Sequence, residues 1–151
     1  PVPRTEGDPD TAFALAELGT SGVDTSLLEE VGGQGLPTSF ILSSRRTGSR
    51  TIVSTRNGVR ELGAQHVAAA ARRVAEEAAS TAEQVWCHLE CRQEPAVILR
   101  MAEAWAEACG PASAMSLEVE KASLRTDAVL PLLGHFDHVL FSRDFVEAQL
   151  A

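Results

Sequence analysis

The sequence predicts an α/β protein with a parallel sheet, and two observations lead to this fold class. From Gly63 onward, apolar residues recur with the 3.6-residue period of a helix, and each helical stretch is followed by a short strand-like run. This alternation is typical of a parallel sheet built from right-handed crossovers. Between Leu27 and Thr55, by contrast, strand-forming residues surround a turn, which predicts a separate small β-sheet.

The first third of the chain is predicted to hold a helix and a hairpin. Asp10 is a candidate N-cap for the helix, and Gly19 is expected to end it. The β-rich runs 39–42 and 51–53 then predict two strands around a turn that contains Thr47-Gly48-Ser49. One apolar face is expected on this hairpin, made by Phe40, Leu42, Ile52 and Val53.

Six elements are predicted after Gly63. They are a helix, a strand at 85–89, a helix at 94–109, a strand at 115–119, a helix at about 123–133 and a strand at 138–141. The buried face of the first helix is expected to carry Val67, Ala71, Val74 and Ala78, and that of the second Ile98, Met101, Trp105 and Cys109. We also expect Trp86 to be a core aromatic residue, because no basic residues surround it.

All three of these strands end in polar residues. The groups that follow them are Glu90 with Arg92, then Glu118, Glu120 and Lys121, and then Ser142, Arg143 and Asp144. Ligands of open parallel sheets bind outside the carboxyl ends of the strands, so one site is predicted there. Glu118 and Glu120 are two apart in a predicted strand and would share a face, which is unfavourable for like charges unless a cation or ligand lies between them; the alternative is an ordinary solvated strand end.

Composition excludes several classes of function. The 151 residues are 44% hydrophobic, which suits one ordinary domain, and the net charge of -8 argues against nucleic-acid or anionic-membrane partners. There is no apolar run of the roughly 18 residues needed for a membrane helix and no signal-like start, so a cytoplasmic location is expected. Three cysteines fit a reducing compartment, and Cys87-His88-x-x-Cys91 lacks a second ligand pair at zinc-like spacing, so no direct metal ligands are predicted.

Several motifs together resemble the ribokinase-like (pfkB-type) carbohydrate kinases. Segments 22–26, 36–39 and 48–53 look like the lid region of that family, and 88–92 and 116–121 are similar to the ketohexokinase branch, which phosphorylates fructose at its 1-hydroxyl. The resemblance runs from about Gly7 to the end of the chain. It implies a three-layer core with parallel strands and crossover helices, here 1–26 and 57–151, and a β-sheet lid at 27–56 that often forms a dimer interface.

The resemblance also assigns roles to residues of this chain. It implies ATP-dependent phosphorylation of a ketose, fructose to fructose 1-phosphate, with ATP and Mg2+ as cofactors. The residues matched to ATP and phosphate binding are Arg50, Arg92 and Arg143, and those matched to the magnesium and phosphate network are Glu118, Glu120, Lys121 and Asp144. Without the resemblance, Arg50 would read as one of several arginines on a solvated hairpin edge, with Arg45, Arg46, Arg56 and Arg60.

Some family motifs are missing from this sequence. It contains neither the sugar-binding first strand with its Gly-Gly-Asn segment nor the Gly-Ala-Gly-Asp segment that supplies the general base, so we expect an inactive central fragment of a longer enzyme. Cys91, Gln93 and Ala122 depart from the usual ketohexokinase residues and leave the sugar open. The alternatives are another ribokinase-like sugar or nucleoside kinase, or a non-catalytic binding and dimerising module.

Overall fold

The computed structural model describes residues 1–3, 8–32, 35–81 and 84–150. The chain divides into two compact units, Pro1–Leu62 and Gly63–Ala151, and each is described by itself. This division differs from the predicted one, in which 1–26 joins 57–151 and 27–56 is separate, and the predicted assignment stays a prediction. Residues 33 and 34 of the predicted lid lie outside the described ranges.

The first unit begins with a short strand, β1 (Val2–Pro3), and a helix, α1 (Pro9–Thr20). Strand β1 pairs in parallel with β2 (Glu30–Val31), a contact that the sequence did not predict. The predicted ends of α1 were wrong at both termini. The N-cap is Asp8, because Pro9 has no N–H and fits the first helical turn, and the left-handed glycine that follows the helix is Gly22 (φ 76°) rather than Gly19.

The predicted hairpin is confirmed as β3 (Thr38–Ser43) and β4 (Arg50–Thr55). Its turn needs a left-handed residue, which Gly48 supplies at a φ of 70°. The single apolar face was wrong, since neighbouring strand residues point to opposite sides. Phe40 pairs with Val53 on one face, and Ile41 pairs with Ile52 on the other.

The second unit confirms the alternation of helices and strands. Its elements are α2 (Ala64–Thr81), β5 (Val85–Glu90), α3 (Pro95–Cys109), β6 (Ser113–Val119), α4 (Thr126–Val129), β7 (His138–Phe141) and α5 (Arg143–Leu150). The single helix predicted at about 123–133 was wrong, because α4 gives way to a 3₁₀ helix, Leu130–His135. Pro131 explains the change, since it has no N–H for the α-helical ladder.

Strands β5, β6 and β7 form one parallel sheet in that order. When right-handed crossovers advance in one direction, their connecting segments lie on the same face of the sheet. In agreement with this rule, α3 contacts β5, β6 and the 3₁₀ helix. Leu117 and Val119 are fully buried, whereas Trp86 (56% exposed) and Leu140 (55% exposed) belong to the other face. We call this exposed side, carrying Trp86, His88, Ser116, Glu118 and Leu140, the outer face of the sheet.

The two tryptophans therefore have different environments. Trp105 in α3 is 7% exposed and confirms the predicted core position. The prediction for Trp86 was wrong, because strand alternation places it on the outer face while its neighbour Cys87 is buried. The α/β class with a parallel sheet is thus present, built mainly from the second unit.

Candidate functional site

The polar residues that follow the three strands lie at one edge of the sheet. The register is parallel, with Glu90 opposite Glu118 and Val119 opposite Phe141, so the strands end side by side. Two further hydrogen bonds join the first two strand ends. Cys91 N donates to Glu118 O (2.8 Å), and Lys121 Nζ donates to Arg92 O (2.6 Å).

Ser142 connects the third strand end to this edge. Its Oγ donates to Glu120 O (2.7 Å), its backbone N donates to Val119 O (3.0 Å), and its Oγ accepts from Phe145 N (3.0 Å). The last contact caps the first turn of α5. As a result α5 starts beside the end of β6, and its first two residues are Arg143 and Asp144.

The structure thus gathers six of the seven predicted site residues at the edge where β5, β6 and β7 end. They are Arg92, Glu118, Glu120, Lys121, Arg143 and Asp144. We call this group the strand-end cluster. Arg50, the seventh, belongs to the first unit, where it opens β4 opposite Ser43 and is exposed.

The arginines of the strand-end cluster are exposed and paired with nearby carboxylates. Arg92 Nε pairs with Glu90 Oε2. Arg143 Nη2 lies 3.8 Å from Asp144 Oδ1, and Arg143 Nε lies 3.5 Å from Glu147 Oε1. The Arg92 side chain is 54% exposed and that of Arg143 is 83% exposed. Exposed pairs contribute about 0–1 kcal/mol, so a phosphate could replace the carboxylate partner at small cost.

The carboxylates of the cluster have different settings. Glu118 lies within β6 and is half-exposed, whereas Glu120 follows the end of β6 at Val119 and is exposed. The argument from strand alternation therefore applies only to Glu118. His88 lies on the outer face beside it, with Nε2 3.8 Å from Glu118 Oε2.

The carboxylates of the strand-end cluster are possible ligands for a magnesium ion. No group of three or more His, Cys, Asp and Glu side chains in the described ranges could bind a metal ion. Mg2+ usually keeps several waters and is held by one or two carboxylates together with substrate phosphates. Glu118, Glu120 and Asp144 offer hard oxygen donors of that kind, so the residues present fit a magnesium ion that is held through water and nucleotide.

The three cysteines lie at different places: Cys87 within β5, Cys91 just after the end of β5, and Cys109 at the end of α3. Cys87 is buried, and its burial, with a smaller contribution from Cys109, raises the pKa of its thiol to about 12. Burial also raises the pKa of Cys91, which Lys121 partly opposes. A raised pKa keeps these thiols protonated, so they act as small apolar groups.

We predict that Cys87 resists alkylation in the folded protein. Only thiolates react at useful rates, and the thiolate of Cys87 is rare below a pH of about 12. Iodoacetamide at pH about 8 should modify the half-buried Cys109 first and Cys87 only after urea is added. Peptide mapping by mass spectrometry distinguishes the two sites. Equal labelling of Cys87 and Cys109 without urea would contradict the buried position of Cys87.

Sequence reasoning missed two structural roles of polar residues in the sheet. Asp137 directly precedes β7, and its Oδ2 accepts a hydrogen bond from Met115 N of β6 (2.7 Å). This bond holds the start of β7 against β6. Ser116 is 2% exposed and bonds to both Trp86 and His88. The available signal was a small polar residue between Met115 and Leu117 in an otherwise apolar strand.

Comparison with known proteins gives no family. No protein-family model matches the chain, and no curated protein sequence matches it. The resemblance to ribokinase-like kinases therefore stays a prediction that depends on the sequence motifs. In the described ranges, no helix is both long and apolar enough to cross a membrane.

Proposed function

We propose that this chain is the central part of a ribokinase-like sugar kinase that transfers the γ-phosphoryl group of ATP to the 1-hydroxyl of a ketose, fructose to fructose 1-phosphate. The strand-end cluster is the observation that carries this proposal. Phosphoryl transfer depends on positioning and on electrostatic stabilisation, and the cluster brings cationic and anionic side chains to one edge of a parallel sheet. The proposed cofactors are ATP and Mg2+.

The cations of the cluster would bind phosphate. The guanidinium of Arg92 and that of Arg143 can each donate two parallel hydrogen bonds to phosphate oxygens, and the Lys121 ammonium adds a point charge. Lys121 Nζ already donates to Arg92 O, which fixes these two residues next to each other. The carboxylates of Glu118, Glu120 and Asp144 would orient the waters of a magnesium ion that neutralises charge on the phosphates.

Arg50 would contribute from the lid. Its guanidinium makes no ion pair with another residue in the described ranges, so it is available to bind the nucleotide phosphates. The proton of the 1-hydroxyl would pass to a general base, for which the family uses the aspartate of Gly-Ala-Gly-Asp. That segment does not occur in this sequence, so the proposal assigns the complete reaction to a longer enzyme.

The exposed hairpin favours a second candidate, a non-catalytic module that binds or dimerises. Both of its faces are apolar and exposed, with side chains that are 49–68% accessible. These are Phe40, Ile41, Leu42, Ile52 and Val53. An isolated two-stranded hairpin is marginal in water, so this one needs a covering surface. A second copy of the hairpin would provide one, and such a homodimer is compatible with the kinase as well as with the module. A different ribokinase-like sugar or nucleoside kinase is the remaining alternative.

We predict that the chain self-associates through this hairpin. Ile52→Lys places a charge among apolar side chains, and the loss of a buried isoleucine from each partner should weaken a dimer by about tenfold or more. Sedimentation velocity at several concentrations measures the shift toward monomer. Ala69→Lys on the exposed side of α2 makes the same change in charge and serves as the control. Monomeric behaviour of the unaltered chain at all concentrations would remove the dimer from the proposal.

The function itself is tested by the product. A complete enzyme that contains this chain should form a ketose 1-phosphate from fructose, ATP and Mg2+. Ribose and nucleosides serve as competing acceptors, so a preference for either would select the alternative kinase.

A further inference from the structure

Ser116 is the centre of a polar network on the outer face of the sheet. It is almost fully buried, and the register places it opposite His88 on β5 and His138 on β7. Its Oγ lies 2.9 Å from Trp86 Nε1 and 2.8 Å from His88 Nδ1. A buried hydroxyl with two close partners has little freedom in how it arranges its hydrogen bonds.

The first partner fixes one of these bonds. An indole N–H can only donate, so Ser116 Oγ accepts from Trp86 Nε1. The indole ring is itself held by His138, whose ring stacks on it at 5.0 Å with an interplanar angle of 13°. The hydroxyl hydrogen of Ser116 is then free to donate to His88 Nδ1.

The reverse arrangement is less favourable. If His88 Nδ1 carried the proton, Ser116 Oγ would accept from two donors, and its own hydrogen would need a further acceptor. Among the described side chains, only Trp86 and His88 form hydrogen bonds with Ser116 Oγ. Burial makes an unsatisfied hydroxyl hydrogen costly, so the Ser116 side of the ring favours an unprotonated Nδ1.

The other side of the imidazole leads to the same result. Glu118 Oε2 lies 3.8 Å from His88 Nε2, which is ion-pair distance and longer than a hydrogen bond. An N–H at Nε2 attracts this carboxylate, whereas a lone pair at Nε2 would face its negative charge. The two sides of the ring therefore select the same tautomer independently.

We propose that His88 is a positioning residue for Glu118: the neutral imidazole carries its proton on Nε2, the Ser116 hydroxyl fixes this tautomer, and the Nε2–H holds the Glu118 carboxylate at the end of β6. The functional meaning of this inference rests on the proposed role of Glu118 in the magnesium and phosphate network. The tautomer is a property of this chain alone.

Long-range ¹H–¹⁵N NMR of the full chain tests the tautomer directly at a pH of about 8.5, where imidazoles are neutral. The expected spectrum shows His88 with a protonated Nε2 and an unprotonated Nδ1. Ser116→Ala removes one hydrogen bond and should lower the ratio of the Nε2–H to the Nδ1–H form by about 2- to 13-fold. Ser113→Ala is the matched control, since Ser113 lies on the same strand and donates to Gly110 O instead.

Trp86→Phe offers a second variant that keeps an aromatic ring and removes only the donor. It should leave the Nε2–H form as the major one, because the hydroxyl hydrogen of Ser116 still has His88 Nδ1 as its acceptor. A protonated Nδ1 in the unaltered chain would overturn the proposal. So would an unchanged ratio in a folded Ser116→Ala chain, or a major Nδ1–H form in a folded Trp86→Phe chain.

Glu118→Gln tests the positioning part. It should change the ¹⁵Nε2 chemical shift of His88, while Glu120→Gln, whose side chain lies past the end of the strand, should leave it unchanged. An identical Nε2 shift in the unaltered and Glu118→Gln chains would overturn the link to Glu118. None of these spectra requires ATP, sugar or Mg2+, so they can succeed when kinase assays fail, and they can fail when those assays succeed.

Discussion

Replacing Arg50 with alanine in a complete kinase that contains this chain is expected to lower kcat/KM for ATP by about 10- to 150-fold, because a charge-assisted contact to phosphate contributes roughly 1.5–3 kcal/mol. The kcat/KM of Arg50→Lys should lie between those of the unaltered enzyme and Arg50→Ala, since lysine keeps the charge and loses the planar pair of donors. Steady-state kinetics at varied ATP and saturating sugar measures both variants. The effect should be smaller on the KM for sugar.

Arg46→Ala is the matched control for this experiment. Arg46 lies in the turn of the same hairpin and is also exposed. If the hairpin arginines only form a solvated edge, Arg46 and Arg50 are equivalent, and their alanine variants should behave alike. Equal small changes in the kinetics for ATP would withdraw Arg50 from the nucleotide site.

The chain by itself is expected to form no fructose 1-phosphate above a protein-free control. It contains no Gly-Ala-Gly-Asp segment, and phosphoryl transfer without general base and anion hole loses most of its stabilisation. The assay uses fructose, ATP and Mg2+ with product detection by mass spectrometry. Circular dichroism on the same sample checks that the chain is folded.

Slow but reproducible turnover would contradict this prediction. Removing Arg92 then distinguishes a genuine activity of this chain from a contaminating kinase. Arg92→Ala should lower turnover that arises at the strand-end cluster by about tenfold or more and should leave a contaminant unaffected.

The regular elements of the second unit could be predicted because burial imposes a period on the sequence. In α3, Ile98, Met101 and Trp105 recur at helical spacing and are all buried, and β5 and β6 follow the predicted positions to within two residues. The strand-end cluster could be predicted from the same strands, since parallel strands must bring their carboxyl ends to one edge of the sheet.

The errors have local causes that periodicity does not record. Pro131 removes an N–H and divides the predicted fourth helix into α4 and a 3₁₀ helix. Trp86 is large and apolar, yet its position one residue before Cys87 places it on the opposite face of the strand. Ile52 was assigned to the wrong side of the hairpin for the same reason.

The polar network on the outer face could not be predicted from spacing. Ser116, His88 and Trp86 meet only because β5 and β6 are adjacent and in register, and that register is a tertiary property. The strand pairing of β1 with β2 was missed for a similar reason, since two-residue strands carry no detectable period. A network of residues on separate strands can be predicted only when the strand order and register are known.

The central claim is that this chain belongs to a kinase that phosphorylates a ketose at its 1-hydroxyl. The most direct measurement is ³¹P and ¹³C NMR of the product that the complete enzyme forms from fructose, ATP and Mg2+, alongside its Arg92→Ala variant. We predict fructose 1-phosphate from the unaltered enzyme and, because a charge-assisted phosphate contact is lost, a rate at least about tenfold lower from the variant. No phosphoryl transfer to any sugar or nucleoside, with ATP unchanged, would contradict the claim.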